Sequence, residues 1–161
     1  MDNSALPREA AIGVIGAGTM GIGIAQVACL AGHRTILIGT PPETLLAATR
    51  SLDTALEGLV ARGRLDAAGR DAARARLETS GDSARLAPAR LVIEAVPEDL
   101  ALKHGVLAAA EAVCGPDTIL ATNTSALPAA AMARGLVRPG RFCGLHFFNP
   151  APVLKLVEVV A

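Results

Sequence analysis

Three glycines, Gly16, Gly18 and Gly21, stand in the spacing G-x-G-x-x-G, directly after the apolar run AIGVI at 11–15 and directly before IGIAQVACLAG. The run before them reads as a buried strand, and the segment after them carries apolar residues at helical spacing up to a stop at Gly32. The first glycine permits a tight turn, the second lets a pyrophosphate approach the backbone, and the third lets helix pack on strand. The helix N-terminus then faces the phosphates with its unpaired N–H groups. The spacing alone is common. Its place between a strand and a helix, with another strand to follow, makes it a dinucleotide cradle whose binding residues are Gly16, Ala17, Gly18, Thr19, Met20 and Gly21.

The rest of the chain repeats that alternation. TILI at 35–38 reads as a strand, and PPETLLAATRSLDTALEGLV puts Leu45, Leu52, Leu56 and Leu59 on one helical stripe behind a proline start. Residues 66–78 predict an alanine-rich helix. LVIEAV at 91–96 predicts a strand that opens into the helical PEDLALKHGVLAAAEAV, in spite of a cost of about 1 kcal/mol at Gly105. TILAT at 118–122, RFCGLHFF at 141–148 and VLKLVEVV at 153–160 predict three further strands. The implied fold is α/β, a Rossmann-type doubly wound, mostly parallel sheet with helices on both faces. The length of 161 residues fits one domain, divided here into an N-terminal tail, 1–9, and a dinucleotide-binding domain, 10–161.

In such a cradle an Asp or Glu about 20 residues on, at the end of the second strand, usually bonds the adenosine ribose. The corresponding residue here is Gly39. Loss of the carboxylate removes its repulsion of a 2′-phosphate, but holding that phosphate calls for a nearby arginine. Arg34 lies five residues back, roughly 17 Å at strand rise. Thr40 or Glu43 is left to contact the ribose. NAD is the expected cofactor, and Gly39 leaves NADP open.

Composition narrows the partners. A net charge of zero gives no electrostatic reason to expect nucleic acid or an acidic membrane surface. Arginine outnumbers lysine 13 to 2, but the arginines are spread among acids. No stretch approaches the ~20 apolar residues of a membrane span, and MDNSALPREAA lacks the basic segment and apolar run of a signal peptide. A cytoplasmic protein acting on small molecules is expected. Cys29, Cys114 and Cys143 are odd in number and lack metal-ligand spacing, so neither a disulfide framework nor a metal site is expected.

Chemistry concentrates near the C-terminal end. His146 closes an apolar strand and is followed by Asn149 and Pro150, which places an imidazole at a strand-to-loop exit, where open α/β sheets bind ligands. Alternation in the last predicted strand sets Glu158 on one face with Leu154, Leu156 and Val160. A carboxylate buried among them needs a partner, and a histidine in reach is a natural one.

The blocks GVIGAGTMGIGIAQVACLAGH, VIEAVPEDLALK, TNTSALP and GLHFFNPAPVLKLVEVV together resemble the N-terminal domain of 3-hydroxyacyl-CoA dehydrogenases, 3-hydroxybutyryl-CoA dehydrogenases among them. The resemblance runs from about residue 10 to the last residue. It implies an oxidoreductase of fatty acid metabolism and β-oxidation that interconverts 3-hydroxyacyl-CoA and 3-oxoacyl-CoA with NAD. His146 would take the proton of the substrate hydroxyl and Glu158 would orient its ring. Ser125 and Asn149 match residues that position the substrate oxygen, with Ser125 also beside the cofactor, and Glu98 and Lys103 match positions lining the dinucleotide site. Arg62 and Arg64 resemble, loosely, a basic turn near the CoA phosphates. The family's helical C-terminal domain, which completes the acyl-CoA pocket and builds a dimer, is absent from these 161 residues. A homodimer and association with such a domain are both implied.

Each residue also has a plainer reading. Ser125 could cap a helix starting at Leu127 and Pro128, and Asn149 before Pro150 is a common turn pair. Glu98 with Lys103 could be an exposed helix face, and Arg62 with Arg64 a solvated one. The alternative at the level of the whole chain is a dinucleotide-binding module without turnover, dependent on a separate C-terminal domain.

Overall fold

The computed structural model describes residues 6–161. Of the expected tail, residues 1–5 lie outside the described residues, and a turn closed by Ala10 N–H on Pro7 O leads into the first strand. The chain then runs β1 (Ala11–Ile15), α1 (Thr19–Ala31), β2 (Thr35–Ile38), α2 (Pro42–Ala61), α3 (Ala67–Ala75), β3 (Leu77–Ser80), β4 (Ala89–Glu94), α4 (Leu100–Val113), β5 (Ile119–Thr122), α5 (Ala129–Ala133), β6 (Phe142–Phe147) and β7 (Val157–Val160).

The strands form one sheet in the order β3-β2-β1-β4-β5-β6-β7. All neighbours are parallel except β6 and β7, which run antiparallel. Strand order reverses between β1 and β4, and the crevice beyond the carboxyl ends of those two strands is where a doubly wound sheet receives ligands. One apolar core gathers Val14, Ile24, Leu37, Leu52 and Leu56 between the sheet and α1, α2 and α3. The other packs Ile36, Val92, Leu107, Leu120 and Met132 against α4 and α5. The helices start where the sequence supplies acceptors: Asp66 takes the Gly69 N–H at 2.7 Å to open α3, and Asp99 takes the Leu102 N–H at 2.8 Å to open α4.

Three local expectations are corrected. The helix expected over 66–78 ends at Ala75, and Leu77–Ser80 is a strand. That strand, LETS, sits at the sheet edge with Leu77 alone buried, so it carries none of the apolar run by which a strand is recognised in sequence. The last strand is four residues rather than eight, because a turn closed on Pro150 O takes Val153 and Leu154 out of the ladder. Finally, Glu158 is not buried among leucines and valines: all four residues of β7 are exposed, since nothing described covers its edge.

Candidate active site

The glycine turn joins β1 to α1 at the β1/β4 crevice. Gly16 has a φ of 110°, and a Cβ there would stand 2.6 Å from Ala95 O, so only glycine lets the turn pass β4. A Cβ at Gly21 would run into Gly16 O, which fixes the contact of α1 with the turn. Gly18 differs from both: nothing lies within 4 Å of the position its Cβ would take. Gly18 is also the N-cap of α1, with no side-chain cap and no acid in the first turn. The turn therefore presents an open backbone and the positive end of a helix, the donor set that a pyrophosphate requires.

In front of it opens a cleft of about 820 Å³, lined by all six turn residues except Gly21 and, on the far side, by Leu102, Gly105, Val106 and Ala109 of α4. Gly105, costly inside a helix, faces this space, and a Cβ there would meet nothing within 4 Å. These features fit a dinucleotide. Gly39 directly follows β2 in the same cleft, beside Thr40 and Thr44, whereas Arg34 is held away by a bidentate pair with Glu78 at 2.5 and 3.0 Å. Glu43 is exposed in the first turn of α2.

A second cleft, about 350 Å³, adjoins the first across Met20, Ala95, Val96 and Pro97. Its floor is a buried ion pair. Glu94, the last residue of β4, is fully buried and Lys103 of α4 is 1% exposed. The Lys103 ammonium donates to both Glu94 carboxylate oxygens at 2.8 and 3.0 Å and to Val96 O at 3.1 Å. Glu94 also accepts from Val96 N–H at 2.6 Å and from Thr122 Oγ1 at 2.7 Å. Two opposite charges taken out of water are tolerable only when satisfied this fully. Lys103 is thus no exposed helix face; its stem and head are committed beneath the 95–98 loop, with Glu98 3.6 Å away.

Glu98 in turn ties that loop to the one after β5, accepting from Thr124 Oγ1 at 2.7 Å and from Ser125 N–H at 3.2 Å. Burial pushes the Glu98 carboxyl up, but the Thr124 and Ser125 hydrogen bonds and the Lys103 charge outweigh it and hold its pKa below the usual 4.5. Asn123 continues the chain, with Oδ1 accepting the Phe147 N–H at 2.8 Å beside His146. Ser125 does not cap α5: the N-cap is Pro128, without a side-chain cap, and Thr124 Oγ1 takes the Leu127 N–H instead.

At the far wall His146 lies directly opposite Glu158 in the antiparallel β6–β7 register. Directly opposed side chains are cross-strand neighbours, and Nδ1 of His146 stands 3.4 Å from Oε2 of Glu158. The His146 ring rests against Phe148, centroids 4.5 Å apart. Glu98, Lys103, Ser125, His146 and Asn149 all line this cleft. Glu158, with 61% of its side chain exposed, backs the histidine from outside. Arg62 and Arg64 are exposed on the turn after α2 and line neither cleft. Burial raises the pKa of Cys29, Cys114 and Cys143, which keeps them as neutral thiols.

Sequence reasoning passed over Glu94, Thr122, Asn123 and Thr124. The available signal for Glu94 was an acid closing the apolar run LVIEA, nine residues before a lysine on the next helix.

The family described as 3-hydroxyacyl-CoA dehydrogenase, NAD binding domain, matches residues 11–161. A 3-hydroxyadipyl-CoA dehydrogenase of Escherichia coli is 45% identical over 150 residues, 93% of this chain and 32% of the relative. A 3-hydroxybutyryl-CoA dehydrogenase of Mycobacterium tuberculosis is 43% identical over 151 residues, 92% of this chain and 52% of the relative. Among solved structures, 3-hydroxybutyryl-CoA dehydrogenase from Escherichia coli superposes with a TM-score of 0.92 at 44% identity, over 95% of this chain and 32% of that one. The (S)-3-hydroxybutyryl-CoA dehydrogenase from Ralstonia eutropha superposes with a TM-score of 0.90 at 34% identity, over 92% and 53%. The chain thus spans about a third to a half of these relatives. With the fold, the glycine cradle and the match in agreement, the chain belongs to the 3-hydroxyacyl-CoA dehydrogenase family and constitutes its NAD binding domain.

Proposed function

We propose that this chain carries the cofactor site and the proton-transfer group of an oxidoreductase that interconverts 3-hydroxyacyl-CoA and 3-oxoacyl-CoA. The observation that carries the reading is His146, paired with Glu158 and facing a cleft shared with Ser125 and Asn149, next door to the glycine cradle. The backbone of Gly16, Ala17, Gly18, Thr19 and Met20 would hold the pyrophosphate, with Gly21 packing the helix behind it. Gly39 would lie at the adenosine end, and Glu98, Lys103 and Ser125 would border the nicotinamide end. NAD, when bound, supplies the acceptor for the hydride leaving C3 of the hydroxyacyl group.

The residues of the chain do the rest. His146 accepts the proton of the 3-hydroxyl at its ring nitrogen as the carbonyl forms, and returns it in the reverse direction. Glu158 holds the ring orientation and stabilises the imidazolium. The Ser125 hydroxyl and the Asn149 amide donate hydrogen bonds to the substrate oxygen and place C3. Relatives whose printed names are 3-hydroxyadipyl- and 3-hydroxybutyryl-CoA dehydrogenase support this choice of substrate class.

A second reading has its own support. The edge strand β7 and the segment before it are uncovered, with Leu154, Leu156, Val157 and Val159 exposed. On this reading the chain is a dinucleotide-binding half that gains turnover when a helical domain covers that face, and a second copy of the assembly completes a dimer. No helix among the described residues is long and apolar enough to cross a membrane; cytoplasmic action on a free acyl-CoA, without nucleic acid or membrane, is the setting we propose.

The test is oxidation of NADH by the 161-residue chain given acetoacetyl-CoA, beside His146→Ala. Turnover that falls by about 10²-fold or more in the variant supports the catalytic reading. NADH binding without turnover supports the second reading. Turnover equal in the two proteins contradicts the role of His146.

A further inference from the structure

The adenosine end of the larger cleft departs from its usual construction in a way that concerns selection between cofactors. A carboxylate at the end of β2 ordinarily accepts from the ribose hydroxyls and repels a 2′-phosphate, while a nearby arginine ordinarily welcomes one. Gly39 occupies that position, and its missing side chain is not simply open space: a Cβ there would stand 2.8 Å from the Ala17 Cβ and 3.0 Å from Leu45 Cδ2. Leu45 is itself buried in the core beneath. A side chain at this position would press its Cβ against apolar atoms.

What lines the cleft around Gly39 is neutral. Thr40, Thr44, Gly81 and Ser83 form its rim, and among the described residues that line it none carries a charge. The charged groups on the neighbouring segments lie outside the lining. Asp82, between Gly81 and Ser83, turns its carboxylate to the Ala84 N–H at 2.9 Å. Arg34 and Arg85 both donate to Glu78, and Glu43 is exposed on α2 outside the lining. The hydroxyls of Thr40, Thr44 and Ser83 remain, and a hydroxyl can serve a ribose hydroxyl or a phosphate oxygen alike.

We infer that this cleft selects between NAD and NADP by hydroxyl groups instead of charge, and that Gly39, sealed by Ala17 and Leu45, is the residue that sets this relaxed selection. The inference rests on the dinucleotide reading of the cleft. Specificity is a difference between two affinities, and it needs an element that penalises the wrong ligand. A neutral rim supplies no such penalty against the 2′-phosphate and no cation to reward it.

The experiment is fluorescence titration of the whole chain with NADH and with NADPH at one ionic strength. Dissociation constants within about tenfold of each other are expected, a difference of no more than one decade in affinity. NADH binding with NADPH weaker by about a hundredfold or more would overturn the inference and leave the dinucleotide reading intact. Failure of both to bind would overturn the dinucleotide reading itself. Because a Cβ at Gly39 would press on Ala17 and Leu45, the carboxylate is restored one residue on, at exposed Thr40. Thr40→Asp is expected to weaken NADPH at least about tenfold more than it weakens NADH. Equal effects on the two would contradict the placement of the 2′ position at this rim.

Discussion

Glu94 and Glu158 are carboxylates on the same sheet, each paired with a basic side chain, and they are built differently. Glu94 is fully buried and receives hydrogen bonds from Lys103, Thr122 and the backbone of Val96. Glu158 is exposed and meets His146 at a single contact of 3.4 Å. The first pair lies at the centre of the sheet, under the loop that borders both clefts. The second is set by the register of a two-strand edge. Burial forces complete satisfaction of a charge and so fixes geometry; exposure leaves the geometry to whatever packs next. The glycine-cradle side of the crevice is thus finished by the chain's own residues, whereas the proposed reaction corner is outlined on one wall.

The comparison breaks first on stability. Glu94→Ala strands the Lys103 ammonium in the core and is expected to cost about 3–5 kcal/mol, whereas Glu158→Ala, an exposed partner, is expected to cost less than about 1 kcal/mol. Urea unfolding of the two variants measures both, and similar losses would contradict the contrast. A smaller effect tests the bridge between the regions. Asn123→Ala leaves the partly buried Phe147 N–H without its acceptor, an expected loss of about 1–3 kcal/mol. Cofactor affinity, read by NADH fluorescence, should change little if the cradle is finished without β6. The smallest effect is one of pH. Because the Glu98 pKa in the folded chain lies below the usual 4.5, the native state binds fewer protons there than the unfolded one. Its contribution is present above about 4.5 and is lost as pH falls through the lowered value. Melting temperatures of wild type and Glu98→Gln should converge as pH drops below that point; parallel curves would contradict the Glu98 linkage.

How far the sequence carried the reading follows the same division. The glycine turn, the long α2 stripe and the alternation of strands and helices were legible because each is a local pattern imposed by the backbone or by one buried face. The LETS strand was not, because an edge strand with one buried side chain leaves no periodic trace. His146 and Glu158 were legible as residues through their motif, but their contact depends on strand register, which only the folded sheet supplies. Reading Glu158 as buried failed because alternation tells which residues share a face without telling whether that face is covered. Lys103 was visible as a motif residue, yet its acceptor Glu94 comes from another element and was overlooked.

If the backbone at Gly18 cradles the dinucleotide, a substitution there separates binding from folding. Gly18 has a φ of −77°, acceptable to any residue, and free space where a Cβ would stand. Gly18→Ala should therefore fold with stability within about 1 kcal/mol of wild type. The added methyl fills only the room in front of the turn, so NADH titration should show affinity reduced by about tenfold or more. Unchanged NADH affinity in a folded Gly18→Ala chain would contradict the account.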